Sequence, residues 1–117
     1  MEIGERKQGS VVVLIPVGRI DNDTSPTFQK RLLAAVAAPD CAVLVDLSKV
    51  DYVSSAGLRA LMTGAKQAKA NNGRLAVAEL KPVVKEIFAI SRFSYVVEVF
   101  AASAEAFRAF AAPGGGD

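Results

Sequence analysis

The chain has 117 residues, 51% of them hydrophobic and 22% charged, the size and composition of one domain able to bury a core of its own. Its 14 basic and 12 acidic residues are scattered to a net charge of +2, with no basic run resembling a nucleic-acid arm, so charge supports solubility and no nucleic-acid partner. A single cysteine, Cys41, excludes an internal disulfide and agrees with a reducing compartment.

Ile3 to Lys7 predicts a first edge strand that turns at Gly9-Ser10 into the apolar, β-branched run Val11 to Val17. Such a run predicts a strand covered on both faces, with Pro16 marking an edge that is open near its end. After the loop Gly18 to Asp23, Ser25 is the expected N-cap of a helix with Pro26 at its first position. Phe28, Leu32, Leu33 and Val36 recur at helical spacing until Pro39 stops the pattern. Ala42 to Leu47 follows as a buried strand with Cys41, read as a buried thiol, at its head. Ser48 to Val53 reads as a polar turn, and a second helix starts near Ser54 or Ser55. Leu58, Leu61, Met62, Ala65 and Ala68 line one face of that helix, Gly64 allows tight packing, and Asn71-Asn72-Gly73 supplies the C-cap.

Leu75 to Ala78 predicts a short strand. Pro82 opens a third helix with Val83, Val84, Ile87 and Phe88 inward, ending near Ser91. Tyr95 to Phe100 is the expected last strand, and Ser103 the cap of a final helix carrying Phe107 and Phe110. Strands alternating with helices imply an α/β domain: a mixed, mostly parallel sheet of about five strands, opened by an antiparallel hairpin, with about four helices. The domain is expected over 1–112, with 113–117, Pro-Gly-Gly-Gly-Asp, as a flexible tail.

The polar start Met1 to Ser10 does not resemble a secretory signal, and the longest apolar runs are far shorter than the roughly 20 residues that span a bilayer. The expectation is a cytoplasmic chain with no membrane contact. Catalytic chemistry finds little to stand on. There is no histidine, which removes imidazole-based triads and the usual imidazole metal sites. Neither GxGxxG nor GxxxxGK[ST] occurs, so no phosphate-cradling loop is recognisable. Asp46 and Asp51 flank a turn that they could simply cap. Neither a cofactor, a metal nor an enzymatic activity is expected.

One segment carries a sharper signal: Val45-Asp46-Leu47-Ser48-Lys49-Val50-Asp51-Tyr52-Val53-Ser54-Ser55-Ala56-Gly57-Leu58. Paired serines sit where a helix begins, and unpaired backbone N–H groups and the macrodipole favour negative charge there. The plainer reading makes one serine an ordinary N-cap, worth about 1 kcal/mol. A hydrolase elbow would need G-x-S-x-G, and position 53 is Val where the first Gly belongs.

The segment resembles the signature of STAS domains of bacterial anti-sigma factor antagonists. Asp46-Leu47-Ser48 is followed by Tyr52-Val53 and then Ser54-Ser55-Ala56-Gly57-Leu58. The similarity extends to Gly18-Arg19-Ile20-Asp21 before the first helix, to Asn72-Gly73, and to Pro82-Val83-Val84-Lys85-Glu86-Ile87-Phe88. It departs at Ser91-Arg92-Phe93, where many relatives place Gly or a small residue after the serine, and at Ala56, which replaces a hydroxyl of some members.

The resemblance implies a partner switch. Ser55, two residues before Gly57, is then the phosphorylation site, and Ser54 occupies a position that is Asp in some relatives. The unphosphorylated protein binds an anti-sigma factor that is also a serine kinase of the GHKL type, freeing a sigma factor, and a serine phosphatase restores it. Asp21, Ser54, Gly57, Leu58 and Arg59 are the implied partner-binding residues, although Asp21 could equally cap a local turn, Leu58 belong to the core, and Gly57 serve close packing. The free domain is expected as a monomer or weak dimer. STAS domains also act as scaffolds or regulatory subunits of transport or stress-signalling complexes, some sensing a ligand, and this remains the alternative.

Overall fold

The structure, a computed structural model describing residues 1–112, resolves the alternating pattern into twelve short elements. The strands are β1 (Ile3–Gln8), β2 (Val11–Pro16), β3 (Gly18–Ile20), β4 (Ala42–Asp46), β5 (Val50–Val53), β6 (Arg74–Ala78) and β7 (Glu98–Phe100). The helices are α1 (Ser25–Ala35), α2 (Ser55–Ala70), α3 (Pro82–Ile90) and α4 (Ser103–Ala111), with a 3-10 turn at Phe93–Tyr95. The tail expected at 113–117 lies outside the described residues. Among those described, no helix is long and apolar enough to cross a membrane.

Five strands form one sheet in the order β1-β2-β4-β6-β7, in which only β1 and β2 run antiparallel. β2 pairs with β4 only from Val12 to Leu14, so the sheet has already parted at Pro16. The mixed sheet, its opening hairpin and the four helices match the architecture expected from the sequence.

Alternation along the inner strands explains the two layers. Val43, Val45, Leu75 and Val77 face a core shared with Phe28 and Leu32 of α1 and Val36 just after it, Leu61 and Ala68 of α2, and Val84 and Phe88 of α3. Leu44, Ala76 and Ala78 point the other way, beneath Ala106, Phe107 and Phe110 of α4. Each fully buried Leu, Val or Phe contributes about 1.5–3 kcal/mol, which is why both faces must be covered. Arg74 pins α4 to the sheet edge: its guanidinium donates to Glu98 (2.6 and 3.1 Å) and to the Ala109 carbonyl (2.9 Å), and stacks 5.0 Å from the Phe110 ring.

Two glycines allow close contact: Gly64, as its position suggested, and Gly73, which was expected only as part of the α2 C-cap. A Cβ on Gly64 would lie 2.5 Å from Leu32 Cδ2, so α1 and α2 pack directly against each other there. At the end of α2, Asn72 takes the left-handed conformation (φ 58°), and Gly73 instead leaves room for Cys41, whose Sγ is 2.3 Å from a would-be Cβ. Cys41 itself is half-buried, and desolvation pushes its thiol above the ordinary value.

Several local expectations are corrected. Ser25 is buried inside the first turn of α1 and does not cap it: the Asp21 side chain takes the Asp23 and Thr24 N–H groups, and the Asp21 carbonyl takes that of Ser25. Ser103 is likewise the first residue of α4, because the Glu79 and Glu105 carboxylates accept the N–H groups of Ser103, Ala101 and Ala102. Val83 is 56% exposed, since the inward stripe of α3 runs through Val84 and Phe88.

The last strand is shorter than Tyr95 to Phe100. Arg92 turns left-handed (φ 53°), Phe93 packs edge-on against Phe88 at 5.3 Å, and strand pairing begins only at Ala76–Glu98. The stretch 48–53 is only partly a turn: Val50–Val53 forms β5, paired parallel to β3 in a second, two-stranded sheet.

Candidate functional site

The small sheet is what positions the paired serines. Parallel pairing sets Arg19 opposite Tyr52 and Ile20 opposite Val53, and the Ile20 carbonyl then accepts the Ser54 N–H at 2.8 Å. With the chain tied there, Ser54 takes an extended conformation and becomes the N-cap of α2, its Oγ accepting the Gly57 N–H at 3.3 Å and its carbonyl the Leu58 N–H at 2.9 Å. Ser55 is the first helical residue. Its side chain is exposed, and among the described residues no partner holds its hydroxyl.

Gly57 lies buried beneath this turn. A Cβ there would approach Val53 Cγ1 at 2.8 Å, and Ile20 Cγ2 and the Ile20 carbonyl oxygen at 2.9 Å each. Glycine is therefore what lets the start of α2 lie on β3 and β5.

The serines open onto a shallow depression lined by Arg19, Asp21, Asn22, Asp23, Tyr52, Ser54 and Ser55. Its far wall is the loop between β3 and α1. There Asp21 Oδ1 accepts the N–H groups of Asp23 (3.0 Å) and Thr24 (3.2 Å), while Thr24 Oγ1 accepts the Asp21 N–H (2.8 Å) and donates to the Arg19 carbonyl (2.7 Å). The Thr24 N–H holds the Asp21 carboxyl below its usual value, partial desolvation opposes it, and Asp23, the Thr24 hydroxyl and Arg19 add to the lowering. Arg19 lies with its guanidinium carbon 4.4 Å from the centre of the Tyr52 ring and its Nε 3.7 Å from Asp21 Oδ2. Outside the depression, Asp51 pairs with Lys81 at 2.6 Å, and Asp46 accepts the Ser48 N–H at 2.9 Å. Both act as turn and surface anchors. No group of three or more potential metal-ligating side chains occurs among the described residues.

Residues 3–98 match the family described as Mlab, STAS domain. The chain belongs to the STAS domain family. A Bordetella bronchiseptica protein, BtrV, named as a candidate anti-sigma factor antagonist, is 33% identical over 99 residues, covering 85% of each chain. An anti-sigma factor antagonist from Mycobacterium paratuberculosis has the same fold, with a TM-score of 0.83 at 23% identity over 93% of this chain and 92% of that one. The Bacillus cell-fate determinant SpoIIAA in its phosphorylated form shares it at a TM-score of 0.65 and 12% identity, over 92% and 99% of the two chains.

Within this STAS domain, the residues singled out from sequence divide into two groups. Asp21, Ser54 and Ser55 meet in the depression. Gly57 is buried below it, Leu58 is half-buried against the core, and Arg59 is exposed on α2 outside the lining. Sequence reasoning missed Arg19, Asn22, Asp23 and Tyr52 as companions of the serines. The only signal available was the β-branched composition of Val50 and Val53, which carries no alternation that would mark 50–53 as a strand.

Proposed function

We propose that this STAS domain is an anti-sigma factor antagonist that binds an anti-sigma factor through the face around Ser55 and is released when Ser55 is phosphorylated. One observation carries the reading. Of two adjacent serines, Ser54 is committed to capping α2, while Ser55 presents a free, exposed hydroxyl beside an open polar depression. Ser54 serves the fold, and Ser55 is available to an enzyme.

Phosphorylation adds about 1.5–2 negative charges at pH 7. At the first residue of a helix the macrodipole tolerates that charge, so the domain keeps its shape. On a face that a partner must cover, the same group needs room and desolvation. Depending on what faces it, this costs a few kcal/mol, and each 1.4 kcal/mol is tenfold in affinity. Asp21 at the rim, Gly57 beneath the turn, and Leu58 and Arg59 on the first turn of α2 complete the contact face. The partner is a GHKL-type serine kinase that is itself the anti-sigma factor, a serine phosphatase reverses the mark, and the cycle runs in the cytoplasm without a cofactor.

A pull-down with the partner kinase tests this. Ser55→Asp is expected to fold as the wild type and lose the partner, and Ser55→Ala to bind constitutively even with ATP present. If both variants bind and release as the wild type does, the switch is refuted and a scaffold or regulatory-subunit role gains.

A further inference from the structure

Among the described residues, Arg19 is the sole cation lining the depression that Ser55 faces, and its present partners hold it loosely. Its side chain is 60% exposed, and its Nε stands 3.7 Å from Asp21, beyond the range of a good N–H···O bond. Asp21 does not depend on it. That carboxylate is already held by two backbone N–H groups at 3.0 and 3.2 Å. The other contact, over the Tyr52 ring at 4.4 Å, is worth about 0.5–1 kcal/mol at an exposed site. A phosphate offers a guanidinium three strong acceptor oxygens in a geometry that it can bind two at a time.

We propose that Arg19 is the intramolecular receptor for a phosphoryl group on Ser55: it leaves Tyr52 and Asp21 and closes over the phosphate. The latch rests on Ser55 as the acceptor and says what the mark does once in place. It turns the surface over, capping the new charge, uncovering the Tyr52 ring and leaving Asp21 without its neighbouring cation. A partner fitted to the unmodified face then loses the Arg19 and Tyr52 arrangement as well as gaining a bulky anion.

The charged and titratable groups lining the site are Arg19 on β3, Asp21 and Asp23 on the loop, and Tyr52 on β5, while the Asp51–Lys81 pair and Arg59 on α2 lie outside the lining. The two aspartates raise the second phosphate pKa, and Arg19 lowers it.

The test uses phosphoserine genetically encoded at position 55, followed by 31P NMR through a pH titration. The second pKa of the phosphate, ordinarily about 6, is expected roughly half a unit lower with Arg19 than in Arg19→Gln. Arg19→Lys should keep part of that shift, and 1 M salt should shrink it. The Tyr52 ring signals should move on phosphorylation in the wild type and stay put in Arg19→Gln. Identical titrations in wild type and Arg19→Gln, with both proteins folded by their amide spectra, would overturn the latch. Because the phosphoserine is installed without a kinase, that outcome is separate from a failure of the kinase to modify Ser55, which would sink the proposed function and leave the latch standing.

Discussion

Gly57→Ala probes the junction on which the Ser54–Ser55 turn is built. The new methyl would stand 2.8 Å from Val53 Cγ1 and 2.9 Å from both Ile20 Cγ2 and the Ile20 carbonyl oxygen. A clash with the tip of a side chain is relieved by a rotamer shift, but the carbonyl is backbone, and the same oxygen accepts the Ser54 N–H at 2.8 Å. Relief therefore requires α2 to lift from β3, stretching the bond that fixes the serine turn. Overpacking of this kind costs about 1–3 kcal/mol. Alanine returns at most about 1 kcal/mol of helix propensity, and less in the first turn. The net expectation is destabilisation of about 1–2 kcal/mol, read as a lower urea midpoint with an unchanged slope. Gly57→Ala as stable as the wild type would refute this picture of the turn.

Three further outcomes follow from the geometry. Ser54→Ala removes a cap and should cost about 1 kcal/mol in urea denaturation, whereas Ser55→Ala should leave stability within about 0.5 kcal/mol. Asp21 has a folded-state pKa below its ordinary 3.8, so its contribution is complete above that value and is lost as pH falls through the folded-state one. The stability gap between wild type and Asp21→Asn, measured by urea midpoints, should hold from pH 7 to about 5 and narrow progressively as pH falls below 3.8. Arg92→Gly should stabilise by about 0.5–1 kcal/mol in thermal or urea melts, because a non-glycine residue is strained at φ 53°.

What the sequence disclosed depended on the range of the interactions involved. α1 and α2 were legible because Phe28, Leu32, Leu61 and Ala68 repeat at helical spacing within one segment. The layered sheet was legible because β2, β4 and β6 are apolar on both faces and separated by helices. The pairing of β3 with β5 was not, since a three-residue and a four-residue strand carry too little local periodicity, and their partnership is made across α1 and β4. That missing pair is what brings Arg19 and Tyr52 beside Ser55, so these neighbours stayed hidden in the sequence. The caps failed for a related reason. Ser25 and Ser103 have the right residue type, but carboxylates at Asp21, Glu79 and Glu105 reach the helix N–H groups first.

Mass spectrometry of the intact protein, after incubation with the proposed anti-sigma factor kinase and ATP, followed by peptide mapping, addresses the proposed switch most directly. The account predicts a single added phosphate, located on Ser55 and absent from Ser55→Ala. A phosphate on Ser54 or elsewhere, or an unmodified chain despite an active kinase, would contradict it.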